Sequence, residues 1–218
     1  MQALIVGAML NDSKWLKKII SRYDFVIAVD KGAECFYNSN LIPNELVGDF
    51  DSINQDILSY FKSKNLEIKS YNIDKDESDL ELAINMVKDY KRIDFTGVLG
   101  GKISHEIINL NILSGLKNKD NRVSIREPNV RIEFLSDKDV LKIPAGLRVS
   151  IIPTNDNVSY VSLKGFKWNL KKHLLKKASS LTLSNETISD SYVKNYGENI
   201  MVVIEPLEKK TRQEKKSL

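Results

Sequence analysis

Glu45-Leu46-Val47-Gly48-Asp49-Phe50-Asp51-Ser52 is the stretch on which the reading of this chain turns. An apolar approach ends in a glycine, two aspartates one residue apart, and a serine. Ser52-Ile53-Asn54-Gln55 then fits the S/T-x-x-E/Q box that opens a helix. The pattern predicts a strand running out through Asp49 to Asp51 and a helix beginning just after it. In extended chain, residues i and i+2 point the same way, with Cα atoms roughly 6.5 Å apart. Asp49 and Asp51 would face one direction and Phe50 the core. Two carboxylates so placed repel each other unless a cation sits between them, and Mg²⁺ is the usual one. The alternative is a plain turn, since Gly, Asp and Ser are turn residues.

Outward from this stretch, strand and helix patterns alternate. Ala3 to Val6 and Phe25 to Val29 are short, continuously apolar runs, as strands covered on both faces should be. Between them Asp12 and Ser13 offer a cap to a helix carrying Trp15, Leu16, Ile19 and Ile20. Asp30-Lys31-Gly32-Ala33 leads into a short helix ending near Asn40, and Ile57, Leu58 and Phe61 give the helix after the motif its buried side. Glu67 to Tyr71 reads as strand. Ser78-Asp79-Leu80-Glu81 is a second capping box, followed by Leu80, Ala83, Ile84 and Val87 on one helical face. Ile93 to Leu99 is strand, and Gly100-Gly101-Lys102-Ile103-Ser104-His105 opens another helix, ended by Gly115 and the polar run beyond Leu116. Such alternation means βαβ crossovers and a parallel sheet, with ligands beyond the carboxyl ends of the strands. Asp30, Asp49, Asp51, Asp79 and the Gly100 loop all fall at those ends.

Past Glu127-Pro128-Asn129 the character changes. Residues 131–135, 140–143, 148–152, 158–163, 180–183, 192–193 and 200–204 are short strand candidates with almost no helical periodicity, which predicts a β-sandwich. Leu170 to Ala178, with four lysines and His173, reads as one exposed turn of helix. The expected division is an α/β domain over 1–128, a β-sandwich domain over 129–207, and a basic disordered tail over 208–218.

The formal charge of +4 is mostly local. The tail from Glu208 has five basic and two acidic residues, a net +3. The rest is near neutral, so nucleic acid is not an expected partner. Cys35 is the one cysteine, which suits a reducing cytoplasm and reads as a small buried apolar residue beside Phe36. The first residues lack the basic region of a signal peptide, and no apolar run approaches the 18 or so residues of a membrane span.

Asp30-x-Gly-Ala, Gly48-Asp-Phe-Asp-Ser, Lys75-Asp-Glu-Ser-Asp79, Gly100-Gly-Lys-x-Ser-His105, Gly165-Phe-Lys-Trp-Asn-Leu and Leu183-Ser-Asn-Glu186, taken in order, resemble the thiamine pyrophosphokinase family over about residues 1–205. The resemblance implies an amino-terminal α/β nucleotide domain, a carboxy-terminal β-sandwich, and a homodimer with thiamine bound where the two meet. It also implies ATP and Mg²⁺ as co-substrate and cofactor, and thiamine diphosphate and AMP as products. Asp49, Asp51 and Asp79 would hold Mg²⁺ against the phosphate oxygens, and one of them could take the hydroxyl proton. Amides of Gly100 and Gly101 would cradle phosphate with Lys102 adding a point charge, while Asp30, Gly32 and His105 would line the nucleotide side. Trp168 would give thiamine a flat face, and Ser184 with Asn185 would hydrogen-bond its pyrimidine.

Two departures stand out. The family loop usually reads Gly-Gly-Arg-x-Asp-His, whereas this chain has Lys102, which lacks the planar guanidinium fork, and Ser104, which lacks a carboxylate. A catalytically impaired thiamine- or nucleotide-binding relative is therefore one rival reading. The D-x-D pair also admits a metal-dependent phosphatase, or a glycosyltransferase with no further support in the sequence.

Overall fold

The structure, a computed structural model, describes residues 1–51, 53–70, 77–155 and 158–207. It divides into two compact units. The first comprises Met1–Pro128 with Ile132–Phe134, and the second Asn129–Arg131 with the residues from Leu135 on. Among the described residues no helix is long and apolar enough to cross a membrane.

In the first unit, β1 (Gln2–Val6), β2 (Phe25–Val29), β3 (Glu45–Gly48), β4 (Glu67–Ser70), β5 (Arg92–Thr96) and β6 (Arg122–Arg126) form a sheet in the order β4-β3-β2-β1-β5-β6. Every one of these pairings is parallel. Ala3 to Val6 are fully buried because both faces of β1 are covered, which is why the strand reads as an unbroken apolar run. The period-2 alternation of side chains divides the work. Leu4, Val6, Val26, Ala28 and Leu46 point into one core with α1 (Ser13–Ile19), α2 (Gly32–Ser39) and α3 (Gln55–Ser63). On α4 (Asp79–Val87), which packs against β2 and β3, Leu80, Ala83, Ile84 and Val87 are buried. α5 (Ile103–Leu116) packs against β6. Cys35 is buried beside Phe36, and its burial raises the thiol pKa, as expected of a core residue.

In the second unit all pairings are antiparallel. β8 (Val140–Ile143), β10 (Ser159–Phe166) and β11 (Leu170–Leu175) lie with β12 (Asn185–Gly197) in the order β8-β12-β10-β11. β9 (Leu147–Pro153) pairs with β13 (Ile200–Pro206) and with the first residues of β12. β12 thus serves both layers, and Leu135, Ile143, Val149, Ile151, Val161, Leu163, Phe166, Val193 and Val202 fill the core. β7 (Arg131–Leu135) follows β6 in chain and sheet order.

Four local expectations are corrected. The helix after the Gly48 motif starts at Gln55, and Asn54 is its cap, accepting from the Asp56 amide at 2.9 Å. Ser52 lies outside the described residues. Strand β3 stops at Gly48, and Phe50 takes a left-handed φ of 59° with its ring buried. The aspartates therefore sit in a turn and not in extended chain. Leu170–Leu175 is an edge strand, not a helical turn. Its exposed lysines give the strand its helix-like polarity while guarding the open edge. Residues 180–183 form a turn, anchored by Thr182 Oγ1 donating to the Ile151 carbonyl at 2.6 Å.

Candidate active site

β1 has β2 on one side and β5 on the other, so successive connections leave its carboxyl end in opposite directions. This is the switch point at which open α/β sheets bind ligands. Gly7 and Gly97 meet there. The Gly7 amide donates to the Thr96 carbonyl at 2.8 Å and the Met9 amide to the Gly97 carbonyl at 2.9 Å. A Cβ on Gly97 would lie 2.5 Å from the Gly7 carbonyl oxygen, and its φ of 72° also favours glycine. Without side chains there, a cleft of about 410 Å³ opens, lined by Asp30, Asp79, Gly101, Lys102, His105 and Glu106 among others.

Each of these is placed by its element. Gly32 opens α2 so close to β1 that a Cβ would stand 2.2 Å from the Val6 carbonyl oxygen, so only glycine lets the helix approach. Asp30, at a φ of 46°, lies against the end of β3, where a Cβ on Gly48 would come within 1.9 Å of its Oδ1. Asp79 is the first residue of α4. Ser78 Oγ accepts from the Glu81 amide at 3.3 Å and Glu81 Oε2 from the Ser78 amide at 2.9 Å, which closes the expected capping box. The Ser78 amide and the Ser78 hydroxyl, which donates to the same Oε2 at 2.8 Å, hold the Glu81 carboxyl below the usual range.

Asp49 and Asp51 do not line the cleft. Asp49 Oδ1 accepts from the Asp51 amide at 3.1 Å, an Asx-type turn that realises the plainer of the two sequence readings. Among the described residues no three acidic, His or Cys side chains are grouped closely enough to hold a metal. The expected ring of Asp49, Asp51 and Asp79 is thus not a preformed cage, and the carboxylates lining the cleft near Lys102 are Asp30, Asp79 and Glu106. Hard carboxylate oxygens facing an open cleft still suit Mg²⁺, which is ordinarily held by one or two carboxylates together with substrate phosphates.

Lys102 is the residue before α5. Its side chain makes no cap bond, and its carbonyl accepts from the His105 and Glu106 amides at 2.9 and 3.1 Å. The Gly100 amide, expected to face phosphate, donates to Glu106 Oε1 at 2.8 Å. That leaves the Ile103 and Ser104 amides, at the first two positions of α5, without an intrahelical acceptor. If the cleft takes the nucleotide expected from the sequence, removing the Glu106 charge with Glu106→Gln should lower its KM by about two- to fivefold, the scale of one exposed like-charge interaction. Steady-state kinetics at varied ATP and fixed Mg²⁺ would measure it, and a raised KM would count against this geometry.

Sequence reading missed Glu127, whose carboxylate accepts from the Gly97 amide at 2.8 Å, the Val98 amide at 3.3 Å and Thr96 Oγ1 at 3.2 Å. Burial raises its pKa against the lowering effect of those bonds. The signal was present: Val123 and Ile125 alternate with Arg122, Ser124 and Arg126, marking the unrecognised strand β6 that delivers Glu127. Lys75 and Asp76 lie outside the described residues.

In the second unit, Lys167, Trp168, Asn169, Leu170, Leu181, Leu183 and Asn185 surround a hollow of about 700 Å³. Trp168 is 56% exposed, and the Lys167 ammonium stands 4.7 Å from its ring centroid. Asn185 is buried and clamps this turn. Its Oδ1 accepts from the Trp168 and Glu186 amides at 3.2 and 2.9 Å, and its Nδ2 donates to the Trp168 carbonyl at 2.8 Å. One N–H of that amide is left for a ligand. Ser184 is exposed with a left-handed φ of 55°, and its amide donates to Ser150 Oγ at 3.0 Å.

The family profile described as "Thiamin pyrophosphokinase, catalytic domain" matches residues 16–125. A second, "Thiamin pyrophosphokinase, vitamin B1 binding domain", matches residues 131–195. The chain belongs to the thiamin pyrophosphokinase family. It is 28% identical over 205 residues to the thiamine pyrophosphokinase of Bacillus subtilis (strain 168), covering 92% of this chain and 96% of that one. Thiamine pyrophosphokinase 2 of Arabidopsis thaliana is 25% identical over 165 residues, covering 66% of this chain; the chain spans 58% of that relative's length. The crystal structure of the Bacillus subtilis thiamine pyrophosphokinase superposes with a TM-score of 0.80 at 22% identity, covering 96% of this chain and all of that one, which shows the fold. Within the thiamin pyrophosphokinase frame, Asp30, Asp49, Asp51, Asp79, Lys102 and His105 fall in the catalytic-domain match, and Trp168, Ser184 and Asn185 in the vitamin B1 binding match.

Proposed function

We propose that the chain is a cytoplasmic, homodimeric thiamine diphosphokinase. It transfers the pyrophosphoryl group of ATP to the thiamine hydroxyl and releases AMP. The observation that carries this reading is the cleft at the β1/β5 switch point, which gathers Asp30, Asp79, Lys102 and His105 within a chain matched by both family profiles. The domain roles follow: residues 1–128 bind ATP and Mg²⁺, and 129–207 bind thiamine.

The reaction moves negative charge along a polyphosphate chain, so a site for it must supply positive charge and fixed donors. Mg²⁺ carried in with ATP would be held by Asp79, with Asp49 and Asp51 at the end of β3, and would neutralise charge on the transferred phosphates. Lys102 brings an ammonium to the lining of the cleft, and the Ile103 and Ser104 amides at the start of α5 offer donors to phosphate oxygens. Asp30 and His105 line the nucleotide side. An aspartate at the cleft accepts the proton of the thiamine hydroxyl. Trp168 already holds one ammonium over its ring, and the same attraction would take the cationic thiazolium of thiamine.

Dimerisation is supported by apolar surface left in the open. Ile103, Ile107 and Ile108 on α5 are 70%, 56% and 53% exposed, an unusual load for one helix face.

AMP formation from ATP, measured with and without thiamine, tests the function. Thiamine-dependent AMP release is expected. Thiamine-independent phosphate release would instead favour the phosphatase, and binding of both substrates without turnover the impaired relative suggested by Lys102 and Ser104. Trp168→Ala should raise the KM for thiamine about two- to fivefold, the range for an exposed cation–π contact, and leave the KM for ATP unchanged. An unchanged thiamine KM would remove Trp168 from the site.

A further inference from the structure

We infer that Glu127 is the positioning residue of the loop between β5 and α5, an internal acceptor that shapes the loop so that its remaining donors face the nucleotide. This inference rests on the cleft binding the phosphates of ATP, as proposed above.

The argument is a hydrogen-bond account of one loop. After β5 the backbone turns sharply at Gly97 and must present N–H groups without an α-helical or sheet partner for each. Glu127 arrives from the neighbouring strand β6, 30 residues away in sequence, and its carboxylate takes the Gly97 and Val98 amides and the Thr96 hydroxyl. Asn109 Nδ2 reaches back from α5 to donate to the Val98 carbonyl at 3.1 Å, fixing the next peptide of the same loop. Trp15 Nε1 donates to Thr96 Oγ1 at 3.3 Å and to the Arg126 carbonyl at 3.1 Å, so the residue before Glu127 is itself pinned. A partly buried carboxylate held this way is costly to keep ionised, and burial does raise its pKa. The cost makes sense if loop shape matters: Gly97, Val98 and Gly101 all line the cleft, and Lys102 follows at once. Glu127 does not itself line the cleft, so it acts through the loop and not on the substrate.

The test uses the full chain with Glu127→Ala, Glu127→Asp and Glu127→Gln. Three readouts are needed: binding of Mg²⁺ with a non-hydrolysable ATP analogue by calorimetry, the separate KM values for ATP and thiamine, and amide hydrogen exchange over residues 97–101. Aspartate keeps the charge but draws the acceptor back by one methylene, and misplacement on that scale should weaken nucleotide binding by about tenfold or more. Alanine should do the same. Glutamine keeps an oxygen toward the Gly97 and Val98 amides and should stay within about threefold of the parent in every readout. The thiamine KM should stay within about twofold throughout. Exchange over 97–101 should quicken in the alanine and aspartate variants and not in the glutamine variant.

Parental nucleotide affinity in Glu127→Asp would overturn the inference, and so would equal losses for both substrates that track a fall in Tm. A glutamine variant as damaged as alanine would also overturn it, since charge and not loop shape would then be what matters. Should the alanine variant not fold, the aspartate and glutamine pair decides alone. If the parent protein binds no nucleotide, the proposed function fails and takes this inference with it. Parental binding with an indifferent Glu127 sinks this inference alone.

Discussion

Asparagine at position 79 is expected to cut thiamine-dependent AMP formation by about two to three orders of magnitude. The melting temperature should stay within about 2 °C of the parent, as for a surface substitution of little energetic consequence. Asp79 lines the cleft but is only half-buried, and the start of α4 is secured by its neighbours Ser78 and Glu81. Its favourable placement at a helix amino terminus is worth about 0.3–1 kcal/mol at most, and asparagine keeps the polar group there. The same reasoning extends to Asp49→Asn and Asp51→Asn. An asparagine side chain at 49 still accepts from the Asp51 amide, so the turn survives while the charge is lost. In all three variants the loss should deepen at limiting Mg²⁺ and ease as Mg²⁺ rises. Activity near the parent's in all three at limiting Mg²⁺ would remove the proposed metal role and leave Asp49 as a turn residue.

Those aspartates show how far sequence reaches. The βα alternation is local: strands covered on both faces read as Ala3 to Val6 does, and the Ser78–Glu81 box announces α4 before any fold is known. Placement of Asp30, Asp79 and the Gly100 loop at strand and helix ends followed from the same alternation. What the sequence hid was set by tertiary partners. Phe50 goes left-handed because its ring is drawn into the core beneath α3, a non-local demand that overrides the extended conformation of the preceding strand. The edge strand β11 passes for an exposed helical turn because lysines on an open edge look like lysines on any solvated face. Gly97 and Glu127 lie about thirty residues apart in sequence, and only the parallel pairing of β5 with β6 brings them together. The contact of Gly7 with Gly97 depends on β1 and β5 being neighbours, which no local pattern specifies.

The largest loss of stability is expected at a residue with no part in the chemistry. Asp94 sits in β5, nearly inaccessible to solvent, and its carboxylate receives five donor contacts. Tyr23 donates at 2.7 Å, Arg92 through Nε and Nη2 at 2.9 and 2.6 Å, and Arg126 Nε at 3.1 Å. Ser124 Oγ completes the set at 2.5 Å, and Arg126 also reaches Glu133 at 3.0 Å. Burial alone would raise the pKa of such a carboxyl. The Arg92 bonds, the Arg126 charge and the Ser124 and Tyr23 hydroxyls outweigh it and hold the pKa below the ordinary value. The same burial beside a carboxylate drives the Tyr23 phenol pKa upward. Asp94→Ala leaves two guanidinium groups facing each other without their anion, and breaking a buried pair in this way costs about 3–5 kcal/mol. In a chain of this length that is a fall of about 10 °C in Tm. The sign of the pH dependence follows from the depressed folded-state pKa. The stability Asp94 contributes is fully present above the unfolded carboxyl pKa, near 3.9, and is lost as pH falls through the lower folded-state value. The parent should therefore lose stability on acidification below about pH 4 more steeply than Asp94→Asn, whose side chain does not titrate there. Urea unfolding of both proteins from pH 7 to pH 3 would measure this. Parallel curves would mean the arginines are satisfied by water and by Glu133, and that the sheet does not lean on Asp94. A steeper fall in the parent would place the electrostatic centre of the first unit on the face of β5 and β6 that also carries Thr96, one residue from the loop that Glu127 holds.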